Sequence, residues 1–395
     1  MEIRRKHAAS GLLLCGLAMA AVPDANAQSS VTLGGFLDAG LAEYANSGGN
    51  TLYKFQNAGV FPTKIYFRGV EDLGGGTSAI FSLDSLITLA TGAINAQSHG
   101  ALFEDSAWVG LKQNGFGQVR LGEQNDFAFD DFLLGGIDTA TGFAGGTFNQ
   151  RTGSFGAALS GLSTPAQFAA ANASSVPGNF APIIGPTGAT TGYSAINWDR
   201  AGGTRMPNAV KFVSDGLYGV SVGAMYSFGG VAGGFSQDSG KSFSLKFDYA
   251  KTHLAAVYTE QNYQVLNNGK DGLSNVLIGG RTEIAGFNVG GMYSNARNTY
   301  TGAMVYSLSG GVTRVVFTTW KIGLAYTYEN GNALLKNVAV NQAAFQITDE
   351  LSTRTAVYLT GVWQRTNGAY QADIANTISS GNVASVVAVG LMHRF

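Results

Sequence analysis

Basic side chains alternate with apolar ones in several short stretches of the chain. Lys64 and Arg68 fall on one side of an extended backbone, and Ile65 and Phe67 fall on the other, because successive side chains of a strand point to opposite faces. Charges placed in this way act on ions and dipoles through Coulomb forces and form no bonds. The pattern therefore indicates strands whose charged face contacts water and acts electrostatically on ions and dipoles.

Residues suited to covalent or metal chemistry are sparse. After residue 27 the histidines are His99, His253 and His393, and no two of them are spaced to form a metal site. Cys15 is the single cysteine, and no nucleophile motif accompanies the histidines. The glycine run at 74–76 has turn character and no helix after it, unlike a phosphate-binding loop. We therefore predict no enzyme activity, no cofactor and no metal.

The first residues have the three parts of a secretory signal peptide. Residues 4–6 are basic, residues 11–22 are apolar, and residues 25–27 are small and precede Gln28. The apolar run is too short for a spanning helix, which needs roughly 20 residues. We therefore expect residues 1–27 to be removed and residues 28–395 to be exported. Lipid attachment at Cys15 is disfavoured because Leu14, the residue directly before it, is not small.

Composition narrows the class of protein. Only 12% of the 395 residues are charged, 45% are hydrophobic, and the formal net charge is −1. This balance suits strands with one wet and one apolar face, whereas a nucleic-acid-binding protein would show an excess of basic residues. The aromatic content of 11% argues against a disordered chain. No composition break resembles a linker, so residues 28–395 are expected to form one domain.

Apolar and polar residues alternate along most of this domain. In residues 321–329, Ile322 and Leu324 share one face and polar side chains occupy much of the other. Short turns containing Asp, Gly or Asn alternate with longer polar connections. These stretches predict about sixteen strands, among them 118–122, 300–308 and 315–329. An even strand number with this alternation of short and long connections is typical of a transmembrane antiparallel β-barrel.

A secreted, soluble β-rich protein would also explain the alternation. It explains less well the aromatic residues near strand ends, which in a membrane barrel form belts at the two interfaces. These residues include Tyr226, Phe228, Tyr249, Tyr328 and Phe395. Barrels of about sixteen strands enclose an aqueous channel, whereas barrels of eight are filled by side chains. The membrane barrel is therefore the favoured interpretation.

Four segments resemble the general porins of Gram-negative bacteria, most closely the β-proteobacterial branch: residues 28–35, 64–76, 107–122 and 389–395. The resemblance implies an all-β barrel in the outer membrane, with a long third loop folded into the pore. It implies passage of ions and small hydrophilic solutes, and assembly as a homotrimer among outer-membrane lipid and lipopolysaccharide. It also implies that Phe395 is the terminal signal for the outer-membrane assembly machinery.

In this family, basic residues of the barrel wall face acidic residues of the third loop. The resemblance and the strand alternation together assign the wall residues Lys64, Arg68, Arg120, Arg205 and Lys211. The candidate loop acids are Asp126, Asp130, Asp131 and Asp138. For each of these acids, a role as a solvated helix cap or turn residue is the alternative to a role as a pore charge.

Two acidic residues stand where many relatives carry arginine. They are Asp105 on the wall and Glu123 at the start of the third loop. Asp38 alternates with Leu37 and Ala39, so it is expected to point inward as well. These three acids weaken the basic side of the predicted constriction. The hypothesis is that the channel prefers cations, or is at least less anion-selective than its relatives.

The third connection, residues 123–204, far exceeds the roughly 15 residues above which loops are usually functional or disordered. It could narrow the pore, bind a particular solute, or extend away from the pore. The predicted function is therefore a general diffusion porin, and a substrate-specific porin is the alternative. An outer-membrane enzyme is disfavoured by the sparse histidines, and an additional role as a surface antigen stays open.

Overall fold

The computed structural model describes residues 29–94, 102–149, 159, 181–184, 190–194, 205–264, 266–375 and 377–395. The predicted signal peptide, residues 1–27, lies outside these ranges. Most of the third connection after residue 149 also lies outside them. Within the described ranges, no helix is both long enough and apolar enough to cross a membrane.

Sixteen antiparallel strands pair in sequence order into a closed barrel. The strands are β1 Ser30–Ser47, β2 Lys64–Gly74, β3 Thr77–Thr88, β4 Ser106–Gln113, β5 Gly117–Asn125, β6 Arg205–Ser214, β7 Val220–Ser227, β8 Gly240–Tyr249, β9 Thr252–Asn262, β10 Gly272–Ile284, β11 Phe287–Asn298, β12 Met304–Val316, β13 Trp320–Gly331, β14 Ala339–Glu350, β15 Thr355–Thr366 and β16 Val383–Arg394. This confirms the predicted fold class and strand number.

Strand β1 closes the barrel by pairing on both of its edges. Residues 36–45 pair with residues 385–394 of β16, and residues 30–36 pair with residues 64–70 of β2. Beyond residue 36 of β1, β2 is replaced by an additional strand, Asn50–Asn57, which pairs with residues 39–47 of β1. Closure gives each of the sixteen wall strands a partner on both sides, which a lipid environment requires because it offers no water to unpaired backbone groups.

The two ends of the barrel differ in the length of their connections. At one end the strands join through tight turns, such as 75–76, 250–251 and 285–286. The opposite end carries the longer connections, including the one that follows β5. That connection begins with a π-helix at Ala128–Leu134, an α-helix at Thr139–Gly142 and a 3-10 helix at Gly146–Asn149.

Other short elements lie outside the barrel wall. They are the strands Ala93–Ile94, Ala181–Ile184, Thr190–Ser194, Asp373–Ile374 and Thr377–Ile378, and the 3-10 helices Asn267–Gly269 and Ala333–Leu335.

Side chains alternate between two unlike faces of the barrel. Leu245 and Leu324 are 52% and 56% exposed, although both are apolar. Ser244 and Thr327, which point the other way, are buried. We call the face of the exposed apolar residues the outer face and the opposite one the inner face. A barrel with an apolar outer face and a polar inner face is suited to contact with lipid.

The structure moves the boundary between the predicted strands 300–308 and 315–329. Gly310 and Gly311 lie within β12, and the turn falls at 317–319 instead. Phe317 and Thr318 adopt positive φ angles of 51° and 68° there. Neither residue type is a usual turn former, so the sequence carried no signal at the true turn.

The assignment of faces is testable by placing a charge on each. Leu245→Arg puts a cation on the outer face of β8, and the expected loss is about 2–4 kcal/mol of folding free energy in bilayers. Ser221→Arg places the same side chain on the inner face of neighbouring β7, opposite Lys246 in the strand register, and should cost clearly less. Urea unfolding of both variants in liposomes measures the difference. Equal losses would contradict the assignment.

Candidate pore constriction

Five charged side chains form a continuous chain of ion pairs on the inner face. Lys64 Nζ lies 3.0 Å from Asp84 Oδ2 and 2.9 Å from Asp105 Oδ2. Arg68 reaches the same Asp84 oxygen at 2.8 Å, and Arg205 reaches Asp105 Oδ1 at 2.8 Å. Strands β2, β3 and β6 and the residue before β4 are thereby joined. Two carboxylates thus compensate most of the basic charge that three predicted wall residues bring to this side.

The cations of this chain differ in their access to water. The Arg68 side chain is 50% exposed, whereas the Lys64 side chain is 16% exposed. Arg68 also stacks its guanidinium over the Tyr66 ring at 4.2 Å. Arg120 lies at 4.5 Å over the Trp108 ring. Such stacking adds an attraction between the cation and the face of the ring. Arg68 and Arg120 are therefore both held by aromatic rings, and Arg68 keeps half of its side chain exposed.

Lys211 anchors the start of the third connection. Its Nζ lies 2.7 Å from Asp130 Oδ2 and donates to the carbonyl of Asn125 at 2.7 Å. The ammonium also sits 4.2 Å above the Phe127 ring, and the side chain has no exposed area. A buried charge is tolerated only when it is paired and hydrogen-bonded. Lys211 thus fastens residues 125–130 to β6 and does not itself face water.

Asp131 makes a second attachment, to strand β8. Its carboxylate accepts a hydrogen bond from the Ser244 hydroxyl and lies 3.4 Å from Lys246 Nζ. Asp138 accepts a hydrogen bond from the Ala140 N–H at 3.0 Å and caps the α-helix that follows. Asp138 is fully buried. Of the predicted loop acids, Asp130 keeps the most exposure, with 29% of its side chain accessible.

Asp126 is fully enclosed at the point where the connection leaves β5. Its carboxylate accepts hydrogen bonds from the Phe129 N–H at 2.9 Å and from the Thr259 hydroxyl at 2.8 Å. Burial raises the pKa of this carboxyl to about 7, although these hydrogen bonds and nearby Lys211 oppose the rise. Asp126 therefore changes charge near neutral pH.

Glycines of the wall make room for two phenylalanines of the connection. A Cβ atom added at Gly223 would overlap the Phe127 ring, and one added at Gly311 would lie 2.5 Å from Phe143 Cγ. Further along, Gln342 donates its side-chain amide to Asn149 Oδ1 at 2.7 Å. Residues 126–149 thus contact the inner face from β6 to β14, held by apolar and polar contacts together.

Asp38 points inward, as predicted, but is fully buried. Its carboxylate accepts hydrogen bonds from the backbone N–H groups of Val60 and Phe61 at 2.7 Å each and from the Tyr358 hydroxyl at 2.7 Å. The connection between the strand Asn50–Asn57 and β2 covers it. Asp38 therefore offers no free charge to a passing ion.

Glu123 does not join the acidic residues of the third connection. Strand β5 continues to Asn125, and the register pairs Glu123 with Ala107. Leu121 pairs with Val109 two residues away on the same face, and both are exposed. Glu123 therefore points to the outer face, three residues from inward-facing Arg120. The sequence analysis ended this strand at residue 122, so the alternation of faces was not extended to Glu123.

Two residues of the site were missed by the sequence analysis. Asp84 follows Ser82 by two residues on β3, and the alternation Phe81-Ser82-Leu83-Asp84 places both polar residues on one face. That signal was available. Tyr358 gives no such signal, because its partner Asp38 lies 320 residues away in the chain. Phe395 is part of the closure, since it exchanges backbone hydrogen bonds of 3.2 Å with Gly35.

No cluster of three or more His, Cys, Asp or Glu side chains that could hold a metal occurs among the described residues.

The raised pKa of Asp126 predicts how stability depends on pH. The folded protein holds this proton up to about pH 7, whereas the unfolded chain releases it near the ordinary value of 3.8. The folded state therefore binds more protons between these values, and the free energy of unfolding should fall as pH rises through them. Asp126→Asn should flatten this dependence. Urea midpoints of both proteins between pH 4 and 8 provide the measurement, and parallel profiles would refute the assignment.

Comparison with known proteins agrees with this architecture. The model of the Gram-negative porin family matches residues 12–369. Outer membrane porin protein 32 of Delftia acidovorans is 37% identical over 133 residues, which cover 32% of this chain and 36% of that protein. Major outer membrane protein P.IB of Neisseria meningitidis serogroup B is 31% identical over 140 residues, covering 33% of this chain and 39% of that protein. These alignments span little more than a third of each relative.

Solved structures extend the comparison to nearly the whole chain. An anion-selective porin from Comamonas acidovorans superposes with a TM-score of 0.70 at 19% identity, covering 93% of this chain and all of that one. OmpT of Vibrio cholerae, solved in a trimer form, gives a TM-score of 0.58 at 12% identity and covers 93% and 99%. Likeness at such identities concerns the fold. With the family match over most of its length, the chain belongs to the Gram-negative porin family of non-enzymatic outer-membrane channel proteins.

Proposed function

We propose that this protein forms a water-filled channel for passive diffusion of ions and small hydrophilic solutes across the outer membrane. The observation that carries the proposal is the inner face itself. A closed sixteen-strand barrel presents ion-paired and stacked cations on β2 to β6, opposite the apolar outer face. Barrels of this size leave an aqueous lumen, and charged rings at its narrowest point decide which ions pass.

Residues 126–149 are the proposed pore loop that narrows this channel. Their contacts with inner-face side chains, from Lys211 on β6 to Gln342 on β14, support this role. Asp130 is the most exposed acid on the loop side, and it interacts electrostatically with Arg120. A solute crossing between this acid and the stacked arginines would meet a transverse field that orients its dipole.

We propose that the channel selects anions less strongly than its arginine content alone would predict. Asp84 and Asp105 compensate Lys64, Arg68 and Arg205 on the wall. The finer hypothesis of a cation preference receives no support from the relatives, one of which carries the description anion-selective. It stays a prediction, to be decided by the sign of the reversal potential.

Homotrimeric assembly is part of the proposal. Its support is the fold shared with OmpT of Vibrio cholerae, which was solved in a trimer form. Contacts with outer-membrane lipid and lipopolysaccharide, and recognition of Phe395 by the assembly machinery, remain proposals of the same kind.

A substrate-specific porin is the second candidate, and the length of the connection at 126–204 favours it. Conductance in planar bilayers separates the two functions. A diffusion channel should give large steps in groups of three with little block by any one solute class. Small steps blocked by one solute class would favour the specific porin. Correctly folded protein that gives no conductance would refute the channel.

Removing the carboxylate of Asp105 tests the source of selectivity. Asp105→Asn removes the carboxylate that neutralises Lys64 and Arg205. The reversal potential in a potassium chloride gradient should therefore shift toward that of chloride. One unit charge at about 4 Å in water changes an ion's energy by about 1 kcal/mol, roughly a fivefold change in its local concentration.

Asp72→Asn is the matched control, because it removes an equal charge from the exposed end of β2. It should leave the reversal potential near that of the parent protein. An unchanged potential in Asp105→Asn, or equal shifts in the two variants, would refute the role of Asp105. Heat-modifiable mobility on gels verifies that each variant barrel has folded.

A further inference from the structure

The connection between the strand Asn50–Asn57 and β2 leaves the barrel wall and turns inward. Its backbone is not part of the strand ladder between Asn57 and Lys64, so its polar groups need other partners. Asp38 provides most of them. Its carboxylate accepts from Val60 N and Phe61 N at 2.7 Å, and its main-chain carbonyl accepts from Ala58 N at 2.9 Å.

Two further groups fix Asp38 in this position. The Tyr358 hydroxyl donates to Asp38 Oδ1 at 2.7 Å from strand β15. The Thr63 hydroxyl accepts from the Asp38 N–H at 3.0 Å and donates to the Asp38 carbonyl at 3.1 Å. A carboxylate that receives several N–H and O–H donors makes charge-assisted hydrogen bonds, which are shorter and stronger than neutral ones. The turn at 58–63 is thus held rigidly over β1 and β15.

The far end of the proposed pore loop rests on this turn. Thr147 donates its backbone N–H to the Gly59 carbonyl at 3.0 Å and its hydroxyl to the Ala58 carbonyl at 2.6 Å. A Cβ atom added at Gly146 would overlap the backbone of the turn, and one added at Gly59 would overlap the Tyr358 hydroxyl. Wall, turn and loop therefore stack in direct backbone contact.

We propose that Asp38 is a positioning residue that fixes the tip of residues 126–149, acting through the turn at 58–63 as a relay. This inference rests on the proposed function, because it assigns the position of the proposed pore loop to a residue that no solute touches. Lys211 and Asp131 fasten the beginning of the loop on β6 and β8. Asp38, through the turn, and Gln342, through Asn149, hold its other described end, and both ends must be fixed to set the width of the opening.

The experiment compares single-channel records and thiol labelling in the exported protein, expected to comprise residues 28–395. Asp38→Asn leaves one neutral oxygen for the N–H groups of Val60 and Phe61, so their charge-assisted hydrogen bonds become weaker neutral ones, and its amide group replaces the oxygen that accepts from the Tyr358 hydroxyl. It should raise the open-channel current noise and the mean conductance. In a Thr147→Cys background it should also raise the labelling rate by a water-soluble thiol reagent several-fold. The only native cysteine, Cys15, lies in the predicted signal peptide, so labelling reports on position 147.

Controls separate positioning from general stability. Asp72→Asn removes the same charge at an exposed site and should match the parent protein in noise and labelling. Tyr358→Phe removes one hydroxyl from the relay and should give smaller changes in noise, conductance and labelling, in the same direction. Thr147→Val removes the hydroxyl at the labelled position itself, so it should give such changes in noise and conductance only. These two variants decide the matter if Asp38→Asn does not fold.

Unchanged noise, conductance and labelling in well-folded relay variants would overturn the inference, even if their thermal stability falls. A parent protein without conductance would instead refute the proposed function. The labelling comparison needs no current, so it would still test the relay in that case.

Discussion

Backbone pairing in lipid is the constraint on which the rest of this molecule depends. Every N–H and C=O group at membrane depth needs a partner inside the protein, and β1 meets this demand by pairing with β16 on one edge and with β2 on the other. Once the ladder is closed, the lipid-facing part of the outer face must be mostly apolar, and polar or charged groups are concentrated on the inner face and in the connections.

The inner face therefore serves two competing purposes. A connection that returns toward the wall brings backbone groups that no strand ladder satisfies, so wall side chains must supply partners. Lys211 supplies one for the carbonyl of Asn125, and Asp38 supplies several for the turn at 58–63. Their charges are buried in doing so. Arg68, which keeps half of its side chain exposed, and Arg120 are instead held by stacking on Tyr66 and Trp108.

Much of this arrangement could be read from periodicity. Alternation predicted sixteen strands and put Lys64 and Arg68 on one face, because register in a half-buried strand is fixed by its hydrophobic pattern. The same parity, carried three residues past Arg120, would have placed Glu123 on the outer face. Periodicity is local, however. It carries no information on Tyr358 meeting Asp38, nor on which inward charges the third connection would cover.

Burial also explains why selectivity does not follow from a count of arginines. A charge that lies in a closed ion pair contributes little field to the lumen, because its partner cancels it over distances longer than the pair. Asp84 and Asp105 exert this effect on the largely buried Lys64 and Arg205, whereas Arg68, which also pairs with Asp84, keeps half of its side chain exposed. A barrel of the same fold at 19% identity need not share these carboxylates. The architecture is thus transferable between relatives, whereas the residual charge at the constriction must be determined for each chain from its own pairs.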